Sequence, residues 1–326
     1  MHGWLLTKDD EGQKSYFGAI DDKGLPDGEI TLSVEYSTIN YKDGLAFSGK
    51  SPVVRQFPMV PGIDGVGTVI NSTSADIPEG SHVVINGWGL GETRWGCLAD
   101  KAVVQSHMTV PLPKAISAAQ SMQIGTAGYT AMLCVQRLLS HGLKPGDGPI
   151  MVTGAAGGVG SFALMFLSAL GFHAVAITGR GNEEPYLKSL GAAEVRSRDQ
   201  FGEKFRPLEK EQWMGAIDTV GSKILAHILA GTSRDGCVAA CGLAQGADLP
   251  TSVMPFILRG VTLAGVDSVM IDKSRRLAAW ELIEQHFCSK KLDIIAGNRF
   301  ELEQAGEVAQ ALLHGDIKGR ALIKVS

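Results

Sequence analysis

The twelve residues Ile150–Ser161 read IMVTGAAGGVGS and decide the fold of this 326-residue chain. Their apolar start predicts a buried strand, and the segment Val159–Leu170 has the amphipathic pattern of a helix. Gly154, Gly157 and Gly160 lie at the turn, where they allow a tight bend and a close approach of a pyrophosphate to the backbone. The amides at the helix N-terminus then face the anion. This arrangement predicts a dinucleotide-binding fold.

The next predicted strand, Ala174–Thr178, indicates which dinucleotide would bind. Sites that prefer NAD usually carry Asp or Glu about 20 residues after the glycines, to hold the ribose hydroxyls. In this chain Arg180 lies 20 residues after Gly160, and Thr178 adds a hydroxyl. A cation beside a hydroxyl suits a 2′-phosphate, which predicts NADPH as the cofactor. The alternative is an exposed arginine at a strand end that binds no ligand.

Composition narrows the class of protein. The length predicts about two domains, and the net charge of −4, without a basic run, argues against nucleic-acid binding. No apolar stretch approaches the roughly 18 residues of a membrane span, and the first residues lack the pattern of a signal peptide. The five cysteines lie in apolar stretches, as is typical of small buried residues in a reducing cytosol. These features predict a cytoplasmic enzyme that binds neither nucleic acid nor membrane.

Residues 1–115 have the pattern of β structure. Ile30, Leu32 and Val34 alternate with polar neighbours, which predicts a half-buried antiparallel strand. The segment after Tyr41 is interpreted as a loop. Strands are predicted at Gly3–Thr7, Ile30–Tyr36, Gly65–Ile70, His82–Asn86 and Ala99–Val104.

From residue 116 onward the pattern changes, first to helical periodicity over Ser117–Ser140 and then to alternating strands and helices. This alternation predicts an α/β fold with a parallel, doubly wound sheet. Its strands are expected near 149–153, 173–178, 193–196, 214–219, 237–241 and 261–266, and its helices near 158–170, 183–190, 222–230 and 252–258. A helix at Ser274–Phe287 follows, and Arg299–Ser326 has the pattern strand, helix, strand. We therefore expect a β-rich domain over 1–115, completed by 293–326, and a nucleotide-binding domain over 116–292.

Several further stretches carry a family resemblance. They are NYKD at 40–43, PMVPGID at 58–64, GWGLGE at 87–92, WG at 95–96, GTAGYTAM at 125–132 and MPFILRGV at 254–261. Together with the glycine turn, they make the chain similar to the medium-chain dehydrogenase/reductase superfamily. Within it, the chain resembles the NADPH-dependent acryloyl-CoA reductases, a branch long labelled as quinone oxidoreductases. The resemblance implies a GroES-like catalytic domain, a Rossmann domain that binds NADPH, and a homodimer.

The same resemblance bears on metal binding. Zinc-dependent members of the superfamily carry a Cys at the place of Tyr41 or Lys42, and a Gly-His-Glu string at the place of Gly62-Ile63-Asp64. Neither position of this chain offers a thiol or an imidazole, and the four closely spaced cysteines of the structural zinc lobe are missing. Because a zinc site needs three or four converging ligands, we expect no metal.

Without a Lewis acid, reduction of a polarised carbon–carbon double bond is easier than oxidation of an alcohol. Hydride addition to the β-carbon of an enoyl thioester places negative charge on the thioester oxygen, which needs a hydrogen-bond donor, while the α-carbon needs a proton. Tyr41 follows a predicted strand and is the candidate for this catalytic role, because a phenol is protonated at neutral pH. Alternatively, its ring only packs on the nicotinamide and water supplies the proton.

Position and resemblance predict the other contacts of the site. Asn40 would bind the nicotinamide carboxamide or cap a loop, and Asp43 and Asp64 would serve local turns or hold Lys42. Lys318 and Arg320 are interpreted as strand-end charges. The remaining expected cofactor contacts are Thr126 at the nicotinamide, Ala156, Gly157, Gly158 and Val159 at the pyrophosphate, Thr178, Gly179 and Arg180 at the 2′-phosphate, Arg198 at the adenine or in solvent, and Leu243, Val266 and Ser268 at the nicotinamide half.

A CoA substrate carries phosphates and needs cations. Lys42, Lys50, Arg55 and Arg94 are the candidates, and the alternative for each is a solvated surface charge. Three functions are consistent with the chain. The first is NADPH-dependent reduction of acryloyl-CoA to propionyl-CoA; the second is reduction of free quinones or small enones, which requires no CoA-binding cations. The third is a non-catalytic NADPH-binding protein.

Overall fold

The structure, a computed structural model, describes residues 1–201 and 204–326. The chain forms two compact units. The first comprises Met1–Thr126, Val269–Glu284 and Leu292–Ser326, and the second comprises Ala127–Ser268 and Gln285–Lys291. Among the helices in the described ranges, none has both the length and the apolar composition that crossing a bilayer requires.

The elements are numbered along the chain. The strands are β1 (His2–Asp9), β2 (Gly12–Ala19), β3 (Ile30–Ile39), β4 (Asp64–Ser72), β5 (His82–Asn86), β6 (Lys101–Val104), β7 (Thr109–Pro111), β8 (Ile150–Val152), β9 (Ala174–Thr178), β10 (Glu194–Ser197), β11 (Trp213–Asp218), β12 (Thr232–Ala240), β13 (Thr262–Gly265), β14 (Asn298–Glu301) and β15 (Ala321–Lys324). The helices are α1 (Tyr41–Ser48), α2 (Ala118–His141), α3 (Gly158–Ala169), α4 (Glu184–Leu190), α5 (Ser222–Gly231), α6 (Met254–Arg259), α7 (Lys273–His286), α8 (Ser289–Ile295) and α9 (Ala305–His314).

The first unit is built around strand β3. This strand pairs with β4, β6 and β15, all antiparallel, in a sheet whose order is β14-β15-β3-β4-β5-β7, with β6 joined to β3. The predicted alternation places Ile30, Leu32 and Val34 in the core, where none is more than 1% exposed. Because β15 pairs with β3, the C-terminal segment joins the sheet of the β-rich unit.

The second unit contains the predicted parallel, doubly wound sheet. Its order across the described residues is β10-β9-β8-β11-β12-β13, and the paired strands run parallel. Apolar strand residues such as Val175 and Val238 share a buried cluster with Ile228 of α5. Most strands lie within two residues of their predicted bounds; β12 begins five residues earlier, at Thr232. The predicted fold class is confirmed.

Local structure differs from the prediction in several places, and helix α8 is among the elements that were not predicted. The segment after Tyr41 is the helix α1 and not a loop. Strands β2 and β7 were not predicted. Strand β2 has few apolar residues and is formed by its pairing with β1 over its whole length. Helix α2 is kinked at Gly125, whose φ of 50° and ψ of −160° are not helical.

The compact units also differ from the expected domain boundaries in two segments. Residues 116–126 belong to the first unit, separated from the rest of α2 by the kink at Gly125. Residues 269–284 belong to it as well, and side chains of α7 anchor them. The Trp280 indole N–H donates to the Asn86 side-chain oxygen (3.2 Å), and Arg276 donates to the Asn86 carbonyl (2.6 Å).

Candidate active site

The glycine turn of the second unit has the geometry of an anion site. Gly154 has a φ of 57°, which favours glycine, and a Cβ on Gly160 would lie 2.5 Å from the Gly154 carbonyl oxygen. Helix α3 begins with Gly157 as its N-cap and has no side-chain cap, so its first amides are available to a ligand. Ala156, Gly157, Gly158 and Val159 are all at least partly exposed here. The turn therefore fits a pyrophosphate.

Two arginines follow the carboxyl ends of neighbouring strands of the same sheet, β9 and β10. Thr178 ends β9, and its hydroxyl oxygen accepts the Arg180 backbone N–H (3.0 Å). The Arg180 side chain is 53% exposed and pairs with Glu183 (3.4 Å). Arg198 follows β10, and its guanidinium lies so close to Gly179 that a Cβ there would be 2.9 Å from its central carbon. Because Gly179 has no side chain, the Arg198 guanidinium can lie against it, so that Arg180 and Arg198 are both at the carboxyl end of the sheet. Two cations there suit a 2′-phosphate.

The other predicted contacts of the second unit follow strands β12 and β13. Leu243 is 67% exposed in the loop after β12. The Val266 backbone N–H donates to the Ala240 carbonyl (2.9 Å), and Ser268, two residues on, is partly exposed. All three residues lie beyond the carboxyl ends of parallel strands, where open α/β sheets bind ligands. Their contact with the nicotinamide stays a prediction.

In the first unit, Asn40 caps α1 and is held by a buried polar cluster. Its amide group donates to Asp64 (2.8 Å) and to Asp43 (3.2 Å), and its side-chain oxygen accepts from Arg320 (2.9 Å). Asn40 is the N-cap residue of α1, and both of its amide hydrogens are used inside the unit. Its contact with the nicotinamide carboxamide stays a prediction. The remaining lone pair of its oxygen is what a carboxamide could contact.

Asp43 stabilises the start of α1 rather than a turn. Its carboxylate accepts the backbone N–H of Asn40 (2.8 Å) and that of Ile63 (3.0 Å). Burial, with the nearby charge of Asp64, raises the pKa of Asp43 to about 6, although the hydrogen bonds from Asn40 and Ile63 oppose this shift. Neither aspartate holds Lys42, contrary to one of the expected alternatives, since Lys42 pairs with Glu92 (2.8 Å).

Asp64 is the acceptor on which the cluster converges. Its two oxygens accept from the Asn86 amide (2.7 Å), from the Thr126 hydroxyl (2.5 Å) and from the Thr126 backbone N–H (2.8 Å), besides Asn40. Thr126 is therefore tied to Asp64 in the first unit, and its predicted contact with the nicotinamide remains a prediction. The side chain of Asp64 is completely buried, so these donors replace water around its charge.

Arg320 is the buried counter-charge, which corrects its interpretation as a strand-end charge. Only 3% of its side chain is exposed. Its guanidinium donates to the Thr38 hydroxyl (2.9 Å) and to the Gln123 carbonyl (3.4 Å), and lies 3.9 Å from Asp64. A Cβ on Gly125 would approach this guanidinium within 2.5 Å, so the glycine at the kink makes room for it.

Tyr41 is the first residue of α1 and lies beside this cluster without joining it. It is 58% exposed, and its hydroxyl makes no hydrogen bond within residues 1–201 and 204–326. The cluster fixes the backbone from which the ring projects, because Asn40 and Asp43 hold the first turn of the helix. The phenol is thus free to donate to a substrate from the positive end of a helix dipole.

Of the four cations considered for a CoA substrate, one is already paired. Lys42 binds Glu92, whose carbonyl also accepts the Arg55 backbone N–H (2.8 Å). The side chains of Lys50, Arg55 and Arg94 are exposed and form no ion pair in the part of the chain that the structure describes. Arg94 differs from the other two because it lines a cavity of the first unit.

The residues at the expected zinc positions do not fit a zinc ion. Tyr41, Lys42 and Ile63 occupy them, and the carboxylates of Asp43 and Asp64 are engaged by hydrogen bonds. In the described ranges, no three His, Cys, Asp or Glu side chains are grouped as a metal would require.

The sequence did not reveal the roles of two residues of the site, Arg320 and Glu92. Arg320 looks like any charge at a strand end, and its partner Asn40 lies 280 residues away. Glu92 gave no signal as the partner of Lys42, 50 residues distant. A clue was available for Arg320, since it precedes the strand that was expected to return to the first domain.

Comparison with known proteins gives consistent matches along the chain. Residues 26–114 match the alcohol dehydrogenase GroES-like domain, and residues 158–285 match the family described as zinc-binding dehydrogenase. Acrylyl-CoA reductase AcuI of Ruegeria pomeroyi is 45% identical over 325 residues, covering 99% of this chain and 98% of that protein.

Two solved structures share the whole architecture. The YhdH oxidoreductase of Salmonella enterica in complex with NADP superposes with a TM-score of 0.97 at 46% identity, covering 100% of both chains. YhdH of Escherichia coli K-12 with bound NADPH superposes with a TM-score of 0.96 at 48% identity, covering 99% of this chain and 100% of that chain. The chain therefore belongs to the medium-chain dehydrogenase/reductase family, in the quinone oxidoreductase-like group that contains acrylyl-CoA reductase.

Proposed function

We propose that this protein reduces the carbon–carbon double bond of acryloyl-CoA to give propionyl-CoA, with NADPH as the reductant. The observation that carries the proposal is the likeness to the acrylyl-CoA reductase of Ruegeria pomeroyi over nearly the whole of both chains. The site supports it, because an exposed phenol beside a buried polar cluster offers a hydrogen-bond donor for a thioester oxygen.

The residues of the second unit fit NADPH. The α3 N-terminus and its turn would hold the pyrophosphate, and Thr178, Gly179 and Arg180 would hold the 2′-phosphate with Arg198 beside them. Leu243, Val266 and Ser268 would border the nicotinamide, and Asn40, Tyr41 and Thr126 are the expected contacts from the first unit. Bound NADPH supplies the hydride that reduces the β-carbon.

The residues of this chain have two tasks in the reaction. The Tyr41 hydroxyl donates a hydrogen bond to the thioester oxygen, where negative charge develops as the β-carbon gains the hydride. The resulting enolate then takes a proton on its α-carbon, from the Tyr41 hydroxyl or from water, and this completes the saturated thioester. Asn40 and Asp43 keep the Tyr41 backbone in place by fixing the first turn of α1.

Isotope transfer tests this chemistry. Acryloyl-CoA is incubated with the enzyme and NADPH deuterated at the transferable position of the nicotinamide, and the product is examined by mass spectrometry and NMR. We expect propionyl-CoA with one deuterium on the β-carbon and, in heavy water, one further deuterium on the α-carbon. Acryloyl-CoA recovered unchanged, or propionyl-CoA without deuterium on its β-carbon, would contradict the proposal.

The arginine pair should set the preference for NADPH. We expect the double substitution Arg180→Ala and Arg198→Ala to raise KM for NADPH about 10- to 100-fold, because charge-assisted hydrogen bonds to the 2′-phosphate are lost. KM for NADH should change by less than about twofold. Steady-state kinetics with both cofactors would measure this.

Arg196→Ala is the matched control for this pair. Arg196 lies two residues before Arg198 and pairs with Glu194 (3.1 Å), so its loss should leave both KM values unchanged. An equal rise in KM for the two cofactors in the double variant would show that the arginines do not read the 2′-phosphate.

We also propose that two copies of the chain associate through the second unit. Strand β13 is an edge of the described sheet, and apolar side chains are exposed on and before the adjacent α6: Leu249, Val253, Met254, Ile257 and Leu258. An apolar patch of this kind next to a free sheet edge is typical of an interface between proteins. The expected occupant is a second copy, as the family resemblance implies.

Light scattering after gel filtration tests the association. We expect the native protein to have twice the 34.5 kDa chain mass, and Ile257→Glu to have the single-chain mass, because Ile257 is the most exposed of these apolar residues, at 72%. Ile70→Glu, at an equally apolar but isolated position on β4, should stay dimeric. A single-chain mass for the native protein would refute the proposal.

We place the protein in the cytoplasm. The five cysteines form no disulfide, and Cys97, Cys134 and Cys237 are buried, which is consistent with a reducing compartment.

A further inference from the structure

A cavity in the first unit is lined by none of the residues predicted to contact the cofactor, and by only one of the four candidate cations, Arg94. It measures about 470 Å³ and is lined by Pro26, Asp27, Gln56, Pro58, Met59, Thr93, Arg94 and Trp95. This volume lies within the range of small-molecule sites, about 300–1,000 Å³. The cavity combines apolar and aromatic walls with a few polar groups, and this combination is typical of ligand sites.

The walls of the cavity are held rigidly. The Trp95 indole N–H donates to the Pro58 carbonyl (3.0 Å), and the ring packs so closely on Gly24 that a Cβ there would lie 2.8 Å from it. Met59, another lining residue, is 1% exposed and forms a β-bridge with Leu6. A flat ring could therefore enter beside a fixed indole and a proline without rearranging the walls.

The polar groups of the cavity have complementary charges. Arg94 is exposed, and its guanidinium has no ion-pair partner in the described part of the chain. Its backbone is fixed, because its N–H donates to the Gly89 carbonyl (3.0 Å) and its carbonyl accepts from Gly91 (2.8 Å). Asp27 and Gln56 offer acceptors on the same cavity. A ligand that carries both a phosphate and an amino-substituted ring satisfies this set.

The loop that carries Arg94 also contacts the start of α1. Glu92 binds Lys42, the residue next to Tyr41, and its carbonyl holds the Arg55 backbone. The loop that lines the cavity through Arg94 is thus bound, through Glu92, to Lys42 in the first turn of α1, next to Tyr41. A substrate with a long flexible arm could place its thioester near Tyr41 and its nucleotide end in the cavity.

We infer that this cavity binds the adenosine 3′-phosphate end of the acyl-CoA, with Arg94 on the phosphate and the adenine beside Trp95. The inference rests on the proposed function, and it selects Arg94 from the four candidate cations. Lys42 is excluded by its pairing with Glu92, and Lys50 and Arg55 do not line the cavity. Asp27 and Gln56 accept hydrogen bonds from the adenine amino group.

Truncated substrates separate this site from the chemistry. We expect Arg94→Glu to lower kcat/KM for acryloyl-CoA by about 10- to 100-fold, mainly through KM, because a phosphate contact becomes a repulsion. For acryloyl-pantetheine, which lacks the nucleotide, kcat/KM should stay within about twofold. Arg94→Lys should keep part of the activity with acryloyl-CoA. Lys114→Glu, the same charge change at another exposed position, should affect neither substrate.

A binding measurement makes the result independent of turnover. Adenosine 3′,5′-bisphosphate is titrated by calorimetry into protein saturated with NADP⁺, so that the dinucleotide site is filled. We expect binding to the native protein and at least about tenfold weaker binding to Arg94→Glu. Equal losses with both thioesters, or equal binding by both proteins, would overturn the inference. Failure of the native protein to reduce either thioester would instead refute the proposed function, and the titration would still decide whether the cavity binds the nucleotide.

Discussion

Replacing Tyr41 with phenylalanine should lower kcat for acryloyl-CoA by about 100- to 1,000-fold, the usual effect of removing one donor to a developing oxyanion. The substitution removes one oxygen and keeps the ring. Because the Tyr41 hydroxyl bonds to nothing in the described chain and is exposed, its removal should not disturb the polar cluster. The loss would therefore report on the reaction and not on folding.

The measurements for Tyr41→Phe are kcat with acryloyl-CoA, the Kd for NADPH and the melting temperature. Only the first should change. Tyr16→Phe is the control, since Tyr16 is 54% exposed on β2. If Tyr41→Phe keeps kcat within about threefold, the ring only packs on the nicotinamide and water supplies the proton.

Replacing Arg320 with methionine should lower the free energy of unfolding by about 3–5 kcal/mol, the cost of leaving a buried charge without its partner. Asp64 and Asp43 are both buried, and Arg320 is the cation that the structure places against Asp64. Without it, Asn40 also loses a donor (2.9 Å) and Thr38 loses another. Urea unfolding at neutral pH would measure the effect.

Two further variants make the Arg320 result specific. Lys324→Met removes an exposed cation from β15, the strand that directly follows Arg320, and should change the free energy of unfolding by less than about 0.5 kcal/mol. Combining Arg320→Met with Asp64→Asn should recover part of the loss, because the unpaired carboxylate is then neutral. A loss below about 1 kcal/mol for Arg320→Met would mean that the cluster is not held by this charge.

The features that could be predicted from the sequence are local ones. The turn around Gly154 and Gly160 depends on residues that are close in the chain, and so does the position of Arg180 after β9. An alternating pattern likewise predicts β3, which buries one face, and a continuous apolar run predicts β9, which buries both. These elements lie within three residues of their predicted bounds.

The features that were not predicted depend on distant partners. Helix α1 has only eight residues and little amphipathicity. It forms because Asp43 caps its first turn and because it packs closely on α9: a Cβ added to Gly44 would lie 3.0 Å from the Ala309 carbonyl oxygen. Strand β2 is polar and depends on β1. Arg320 is buried only because the chain returns to Thr38 and Asn40. No local pattern carries this information.

The most direct measurement of the proposed function is NADPH oxidation by the purified, metal-stripped protein, with acryloyl-CoA and a simple quinone compared at matched concentrations. We predict that kcat/KM for acryloyl-CoA is at least about a hundredfold higher, because only the thioester has both an oxygen for Tyr41 and a nucleotide for Arg94. Faster turnover of the quinone, or no turnover of either compound, would contradict the proposal that this protein is an acryloyl-CoA reductase.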